Sequence, residues 1–184
     1  FITGALSYDG ESTVFKKSEY RYDGSDLKFD YKSFDSTGRL RVRHKYTYND
    51  AKIITEEKVF NSAGINVLKF KYEYDDKNNM LSATLMDYNG DPIRKQEYIY
   101  DSSSKLLKFI SSNEFGERDG IFEYFYRKDG KIEKIMFYKP LSDEGIVAYK
   151  FSYGEDGIII EKNIFVIMEN FDGALERRIK RSMW

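Results

Sequence analysis

The chain has 184 residues, of which 41% are hydrophobic, 33% charged and 17% aromatic, a composition that supports one folded domain with a core. Thirty Lys and Arg stand against 31 Asp and Glu, and the formal net charge of −1 excludes a general attraction to nucleic acid or anionic membranes. The absence of cysteine excludes disulfides, thiolate metal sites and cysteine nucleophiles.

A tetrad of the form Tyr-x-Tyr-Asp recurs along the chain at a constant spacing. Its copies are YRYD from Tyr20, YTYN from Tyr46, YEYD from Tyr72, YIYD from Tyr98 and YFYR from Tyr124, each 26 residues after the one before. A degenerate sixth copy begins at Phe151. Such a period indicates a repeat architecture. We therefore predict a single domain over residues 1–184, with repeats near 20–45, 46–71, 72–97, 98–123, 124–150 and 151–184.

Two turns are predicted in each repeat. One follows the tetrad, as in YDGSD at 22–26 and YDSSSK at 100–105. The other contains a glycine, as in FDSTG at 34–38 and FNSAG at 60–64. These glycines are Gly38, Gly64, Gly90 and Gly116. Asp, Asn and Ser bond nearby backbone groups in turns, while Gly supplies a positive φ.

The segments between the turns are roughly 8 to 10 residues long and alternate with period two, which indicates strands. In NVLKFKYEY at 66–74, for example, Phe70 and Tyr72 point one way while Lys69 and Lys71 point the other. Each repeat is thus predicted to be a β-hairpin, and the whole chain an all-β antiparallel meander of about 13 strands. The tail from Ala174, ALERRIKRSMW, is ambiguous between a last strand and a short helix.

This arrangement places two rows of tyrosines on one face of the sheet and mainly Lys, Arg and Glu on the other. Because open twisted sheets rarely exceed ~10 strands, we expect a strongly curved or closed, barrel-like sheet that buries the aromatic rows. An open single-layer sheet is the alternative, favoured by polar residues such as Arg94 and Gln96 among the aromatic positions.

The sequence predicts no catalytic, cofactor-binding or metal-binding residues. The one histidine, His44, has Phe70, Gln96 and Phe122 as its repeat equivalents, so a packed residue is the preferred interpretation over a catalytic base. Oxygen-rich turns such as DDKNN at 75–79 contain calcium ligands, but turn chemistry explains the same residues. The carboxylates considered for a hydrolase pair are Asp9, Glu11, Asp119, Glu123, Glu144 and Asp156.

The aromatic rows are interpreted first as the core of a curved sheet and second as a ligand platform. The candidate ligand-binding residues are Tyr46, Tyr72, Tyr98, Arg94, Gln96 and His44. Basic residues on the other face are Arg41, Arg43, Lys45, Lys69, Lys71 and Lys95. Acidic neighbours dilute them, so a solvated face is the preferred interpretation there.

The turn FDSTGRL at 34–40, together with the tetrads YRYD, YEYD and YIYD, resembles the YD repeats of bacterial RHS-type and related cell-surface proteins. The resemblance extends from about Ser7 to Asp172, and it departs from the family pattern where Lys105-Leu106 and Lys131-Ile132 replace Arg-Leu. It implies an exported or surface-associated β-repeat protein of scaffold or binding type, and it implies no catalytic residues.

The expected function is that of a non-enzymatic exported or surface-associated scaffold or binding module for a protein or glycan partner, with no nucleic acid and no cofactor. The expected location is the periplasm, the outer surface or the secreted fraction, and no transmembrane segment is expected because no apolar run approaches ~20 residues. Two alternatives stay open. One is a carboxylate-based hydrolase with its site in a concavity of the sheet, and the other is a structural fragment of a longer YD-repeat array.

Overall fold

The computed structural model describes residues 2–8, 14–138, 145–168 and 175–181, and the regular elements in these ranges are β-strands. The strands are β1 (Ile2–Tyr8), β2 (Val14–Tyr22), β3 (Lys28–Phe34), β4 (Leu40–Tyr48), β5 (Ile54–Phe60), β6 (Asn66–Tyr74), β7 (Met80–Met86), β8 (Pro92–Tyr100), β9 (Leu106–Ser112), β10 (Arg118–Tyr126), β11 (Ile132–Tyr138), β12 (Gly145–Tyr153), β13 (Ile159–Met168) and β14 (Leu175–Arg181). Within the described ranges, no helix is long and apolar enough to cross a membrane.

The strand boundaries confirm the 26-residue period. Successive even-numbered strands begin at residues 14, 40, 66, 92 and 118, and the odd-numbered strands from β3 to β11 keep the same spacing. The fourteen strands are one more than the number expected from the sequence. The ambiguous tail forms the strand β14 and not a helix.

Two compact units make up the chain, namely residues 1–74 with 82–94, and residues 75–81 with 95–184. In the first unit, strands β1 to β6 pair in antiparallel fashion, each with the next strand along the chain. In the second unit, strands β8 to β14 pair in the same way. The single domain over residues 1–184 stays a prediction.

Strand order in the sheet is the order of the chain, from β1 to β14, and each of these two terminal strands pairs on one side. The sheet is therefore open. The prediction of a strongly curved or closed, barrel-like sheet is wrong, and the open alternative is right. The physical reason lies in the aromatic rows: their rings pack against one another across neighbouring strands and remain half-exposed, so their packing does not require closure.

The turns share one hydrogen-bonding pattern. The Asp75 N–H donates to the carbonyl of Asn79 (2.9 Å), and the Asn78 N–H donates to the carbonyl of Asp75 (3.0 Å). The Asp75 carboxylate Oδ1 accepts the N–H groups of Lys77 and Asn79 at 2.9 and 2.8 Å. The same side-chain pattern occurs at Asp23, Asp35, Asn61, Asp87, Asp101 and Asn113. These are three-residue hairpin loops, in which a type I turn is followed by a left-handed residue.

The left-handed residue differs between the two kinds of turn. The four glycines predicted for this role have φ between 76° and 93°. In the turns that follow the first four tetrads, residues with side chains take the position: Asp26, Lys52, Asn78 and Ser104, with φ between 60° and 66°. After the last two copies, Gly130 and Gly157 take it, with φ of 83° and 80°. Residues with side chains carry a steric cost there that glycine avoids, and Asn and Asp tolerate the position best.

The second tyrosine of the tetrad fixes neighbouring hairpins to each other within each unit. The Tyr74 hydroxyl donates to the carbonyl of Ile54, the first residue of β5, at 2.8 Å. Equivalent bonds run from Tyr48 to Lys28, from Tyr126 to Leu106 and from Tyr153 to Ile132. Register shifts occur at the second tyrosine, for example between Thr47 and Tyr48. The hydroxyl thereby bonds a backbone carbonyl at the end of an adjacent strand, where hairpin pairing is ending.

The two faces of the sheet differ in chemistry. In each unit we call the face that carries the first tyrosines of the tetrads the aromatic face and its opposite the outer face; these are Tyr20, Tyr46 and Tyr72 in the first unit and Tyr98 and Tyr124 in the second. All five tyrosines are half-buried. Among the residues whose side chains the structure describes, the buried apolar ones are Val59 and Ala148. Burial of apolar groups is therefore thin in both units.

The outer face of the first unit holds a deeply buried acid. Asp30 is 1% exposed and receives two hydrogen bonds from Arg43, from Nε at 2.7 Å and from Nη2 at 3.0 Å. The Nε of Arg21 lies 4.0 Å from the same carboxylate. A bidentate guanidinium pair of this kind offsets the cost of burying the carboxylate.

Candidate binding surface on the aromatic face

In the first unit the aromatic face is a continuous cluster of rings. Tyr20 and Tyr31 have centroids 5.1 Å apart, and Tyr31 meets the His44 ring edge-on at 5.4 Å. His44 is stacked with Tyr46 at 6.3 Å. Strand alternation explains the cluster, because Tyr20, Tyr31 and His44 are register partners on three neighbouring strands.

Glu57 is the acidic centre of this cluster. It lies directly opposite Tyr46 on β4 and Phe70 on β6. Its Oε1 is 2.6 Å from His44 Nδ1, and its Oε2 accepts a hydrogen bond from the Tyr72 hydroxyl at 3.4 Å. The carboxylate therefore joins the histidine to the tyrosine row and fixes the orientation of the imidazole.

The electrostatics of the cluster favour neutral tyrosine. Burial, with the negative charge of Glu57 next in importance, raises the pKa of Tyr46 well above its usual 10.0. Lys28 lies over the Tyr46 ring with Nζ 4.6 Å from the centroid, and it is 6.0 Å from the Tyr20 centroid. The surface thus combines ring faces, a cation and a carboxylate, a composition typical of recognition surfaces.

The second unit carries a ring cluster with fewer charges. Tyr98, Phe109, Phe122 and Phe137 follow one another across four neighbouring strands. Their successive centroid distances are 5.3, 5.8 and 4.8 Å. The Tyr98 hydroxyl donates to Gln96 Oε1 at 3.2 Å, which satisfies both polar groups inside the cluster.

The candidate ligand-binding residues fall into three places. The structure brings His44, Tyr46 and Tyr72 together around Glu57. It brings Gln96 and Tyr98 together in the second unit. Arg94 lies on β8 with an exposed side chain. A ligand-binding role for these six residues stays a prediction.

Glu57 was missed by the sequence analysis. Its place on the aromatic face follows from period-two alternation with Val59, which pairs with His44. The short segment ITEEKVF obscured that alternation, because two adjacent glutamates and a lysine make both faces polar. The strand register could have been inferred by aligning the turns on both sides.

The turn carboxylates accept hydrogen bonds from groups of their own turns. The Asp75 Oδ2 accepts a hydrogen bond from Asn79 Nδ2 at 2.8 Å, in addition to the two backbone bonds to Oδ1. These bonds, the one from Asn79 first, lower the pKa of the Asp75 carboxyl. In the described ranges, no group of three His, Asp or Glu side chains is placed to hold a metal ion.

Two of the carboxylates considered for a hydrolase, Glu123 and Asp156, have structural partners. Asp9, Glu11 and Glu144 lie outside the described residues. Glu123 pairs with Lys108 at 2.6 Å and accepts the Tyr138 hydroxyl at 2.7 Å. Asp156 accepts the backbone N–H of Ile158 in a turn. Glu123 and Asp156 are thus engaged in structural contacts.

No family model matches the chain, and no curated protein matches it. Among solved structures, a porin-like protein from Bacteroides uniformis has a TM-score of 0.52 and 11% identity over 96% of this chain and 88% of its own. A Tc holotoxin pore of Photorhabdus luminescens has a TM-score of 0.26 and 10% identity over 97% of this chain and 14% of its own. A DUF3836 family protein from Bacteroides vulgatus has a TM-score of 0.21 and 13% identity over 61% of this chain and 98% of its own. The chain is therefore similar in fold to the porin-like protein.

Proposed function

We propose that this chain is a non-enzymatic, exported or surface-associated β-repeat module whose aromatic face binds a protein or glycan partner. The observation that carries the proposal is the half-exposed row of tyrosines on an open sheet. Tyrosine gives large contact area with a polar tip, and it is enriched where proteins recognise one another. A closed sheet would have removed this surface from solvent.

The cluster around Glu57 supports a binding role over a core role. A core position is normally filled by apolar groups, whereas here a carboxylate, an imidazole and two tyrosines occupy neighbouring places on the aromatic face. Rings supply contact area, and the few polar groups fix the orientation of what binds. A partner with cationic and apolar groups complements this surface.

Membership of the YD-repeat proteins and the exported location are part of the same proposal. The 26-residue hairpin period and the constant turn chemistry support the membership. The location follows from the resemblance to YD repeats of cell-surface proteins. The porin-like protein shares a fold with this chain, and fold similarity alone carries no activity.

A binding panel tests the proposal. The purified chain is applied to a glycan array and to fractionated cell-envelope material, and each bound species is then tested against two variants. Tyr46→Ala with Tyr72→Ala removes two rings of the aromatic face. Tyr88→Ala is the control, because Tyr88 is 70% exposed in a turn. We expect the double variant to lose binding and the control to keep it.

The stability of each variant must be measured alongside. Because Tyr72 is half-buried, Tyr72→Ala is expected to cost about 1–2 kcal/mol, below the 3–5 kcal/mol of a fully buried aromatic ring. Equal binding by the double variant and the control would refute the aromatic face as the binding surface. Turnover of a generic glycoside or ester substrate would refute the non-enzymatic assignment.

A further inference from the structure

The outer face of strands β2 to β6 is strongly cationic. Strand alternation and register place on it the cations Lys17, Arg21, Lys32, Arg41, Arg43, Lys45, Lys58, Lys69 and Lys71. The carboxylates on the same face are Glu19, Asp30, Glu56 and Glu73. The cations thus outnumber the carboxylates, although the whole chain carries a formal charge of −1.

Three lysines of this face lie directly opposite one another. Lys45 on β4 pairs with Lys58 on β5, and Lys58 pairs with Lys69 on β6. We call these three residues the lysine row. Neighbouring strands are ~4.8 Å apart, so three positive charges cross the sheet at short intervals. Like charges in directly opposite positions destabilise a sheet, and the lysine row therefore needs a reason other than stability.

The internal carboxylates neutralise only part of this charge. Lys58 forms an ion pair with Glu56 at 2.8 Å. Asp30 forms ion pairs with Arg43 at 2.7 Å and with Arg21 at 4.0 Å. Lys58 still has a 42% exposed side chain, so its ammonium stays accessible to an external anion. On β6, Lys69 is half-buried, whereas Lys71 is exposed and extends the positive field beyond the lysine row.

The repeat architecture itself does not require these lysines. Fifty-two residues later, the row positions hold Glu97, Ile110 and Ile121, which pair across β8, β9 and β10 in the same order. The same fold is thus built there without a single lysine in the row. A cationic row in one part of the repeat array is a local feature of the kind that binding surfaces show.

The chemistry of this face selects among polyanions. Two rings of this face are already covered by lysines: Lys17 lies over Phe34 and Lys45 over Phe60, each with Nζ 5.5 Å from the ring centroid. Proteins that bind single-stranded nucleic acid stack bases on free ring faces, and readers of duplex DNA insert an element into a groove. A sheet face of exposed ammonium groups fits instead a flexible polymer that carries carboxylate or sulfate groups.

We propose that the lysine row, with Lys71 and Arg41 beside it, binds an acidic polysaccharide laid across strands β4 to β6. This surface is separate from the aromatic face and goes beyond the function proposed for that face. Each ammonium contacts an anionic group of the polymer, and bound counterions are released on binding. The affinity therefore falls steeply as salt is raised.

The test uses the full chain with polygalacturonate and dextran sulfate as anionic probes and neutral dextran as the uncharged control. The row variant combines Lys45→Gln, Lys58→Gln and Lys69→Gln. A matched control combines Lys52→Gln, Lys77→Gln and Lys128→Gln, which removes the same charge from exposed turns. Binding is measured by calorimetry at several salt concentrations, and thermal unfolding is measured for each variant without a probe.

The expected result is a loss of roughly tenfold to a hundredfold in affinity for the row variant, with a shallower salt dependence, and little change for the control. Without a probe, the row variant should unfold at the same temperature as the wild type or higher, because its like-charge contacts are gone.

Equal affinities for the two variants, or no binding of either anionic probe, would overturn the proposal. Stronger binding to single-stranded DNA or to anionic vesicles would overturn the choice of polymer. None of these outcomes bears on the aromatic-face variants, so the two proposals fail separately.

Discussion

The Tyr74 hydroxyl donates a hydrogen bond of 2.8 Å to the carbonyl of Ile54, 20 residues earlier in the chain. This contact explains the spacing within the tetrad. The first tyrosine packs against rings on the aromatic face, the second bonds the carbonyl at the end of a neighbouring strand, and the Asp that follows opens a turn. One tetrad thus specifies ring packing, strand anchoring and chain reversal.

Removing that hydroxyl alone tests the anchoring role. Tyr74→Phe keeps the ring and leaves the Ile54 carbonyl without its donor, so the free energy of unfolding should fall by about 1 kcal/mol. Tyr88→Phe is the matched control, because Tyr88 is exposed in a turn, and it should change stability by less than about 0.5 kcal/mol. Urea unfolding of both variants makes the measurement, and equal midpoints would remove the anchoring role.

Stability should depend on whether the side chain at position 75 can accept the hydrogen bonds of its turn. Asp75→Asn should stay close to the wild type, because Asn49, Asn61 and Asn113 open equivalent turns with an amide oxygen. Asp75→Ala removes the acceptor for two backbone N–H groups and should lower the unfolding midpoint. An alanine variant as stable as the asparagine variant would show that the turn does not depend on its side-chain acceptor.

Acid should weaken the same turn. Hydrogen bonds, the one from Asn79 first, hold the pKa of the Asp75 carboxyl below its usual 3.8 in the folded chain. A lowered folded pKa means that the stabilisation is present above pH 3.8 and is lost as the pH falls through the folded value. The unfolding midpoint of the wild type should therefore drop more steeply below pH 3.8 than that of Asp75→Asn.

Alkaline pH should destabilise the aromatic face. Burial raises the pKa of Tyr74, Tyr98 and Tyr124 above the usual 10.0. Because the folded pKa lies above the unfolded one, this stabilisation is complete below pH 10 and is lost as the pH rises further. Tyrosinate absorbance and circular dichroism recorded together should show ionisation coinciding with loss of the sheet. Full ionisation of these tyrosines in an intact sheet would contradict the stabilisation by buried neutral tyrosines.

Breaking the buried ion pair on the outer face should be costly. Arg43→Gln leaves the buried Asp30 without its two hydrogen bonds from the guanidinium, so we expect a loss of about 3 kcal/mol in the free energy of unfolding. Arg41→Gln on the same strand is the control, because Arg41 is exposed, and it should cost less than about 0.5 kcal/mol. Chemical denaturation compares the two, and similar small losses would show that the burial of Asp30 does not depend on Arg43.

The sequence predicted the local features well because they repeat every 26 residues. The strands, the positive φ of Gly38 and Gly64 and the shared face of Tyr46 and Tyr72 all follow from local rules. Closure of the sheet was predicted wrongly, because the rule on strand number ignores how well rings such as Phe109 and Phe122 pack within a single layer.

The sequence did not predict which side chains pair across neighbouring strands, and the reason is different. The pairing of Asp30 with Arg43 and of Glu57 with His44 depends on diagonal positions across two strands. Bulges beside the turns shift the register by one residue and change which side chains share a face. Such shifts leave no clear mark in the alternation of a short strand.

Binding of a partner at the aromatic face requires that this face is accessible in the folded protein. Hydroxyl-radical footprinting, read residue by residue by mass spectrometry, measures that accessibility directly. Tyr88 and Phe115, 70% and 78% exposed, set the scale for open rings. We predict that Tyr46 and Tyr72 are labelled in the native state at rates within about tenfold of these standards, as half-exposed rings should be. Protection of both tyrosines that disappears only when the protein unfolds would contradict an open, accessible aromatic face.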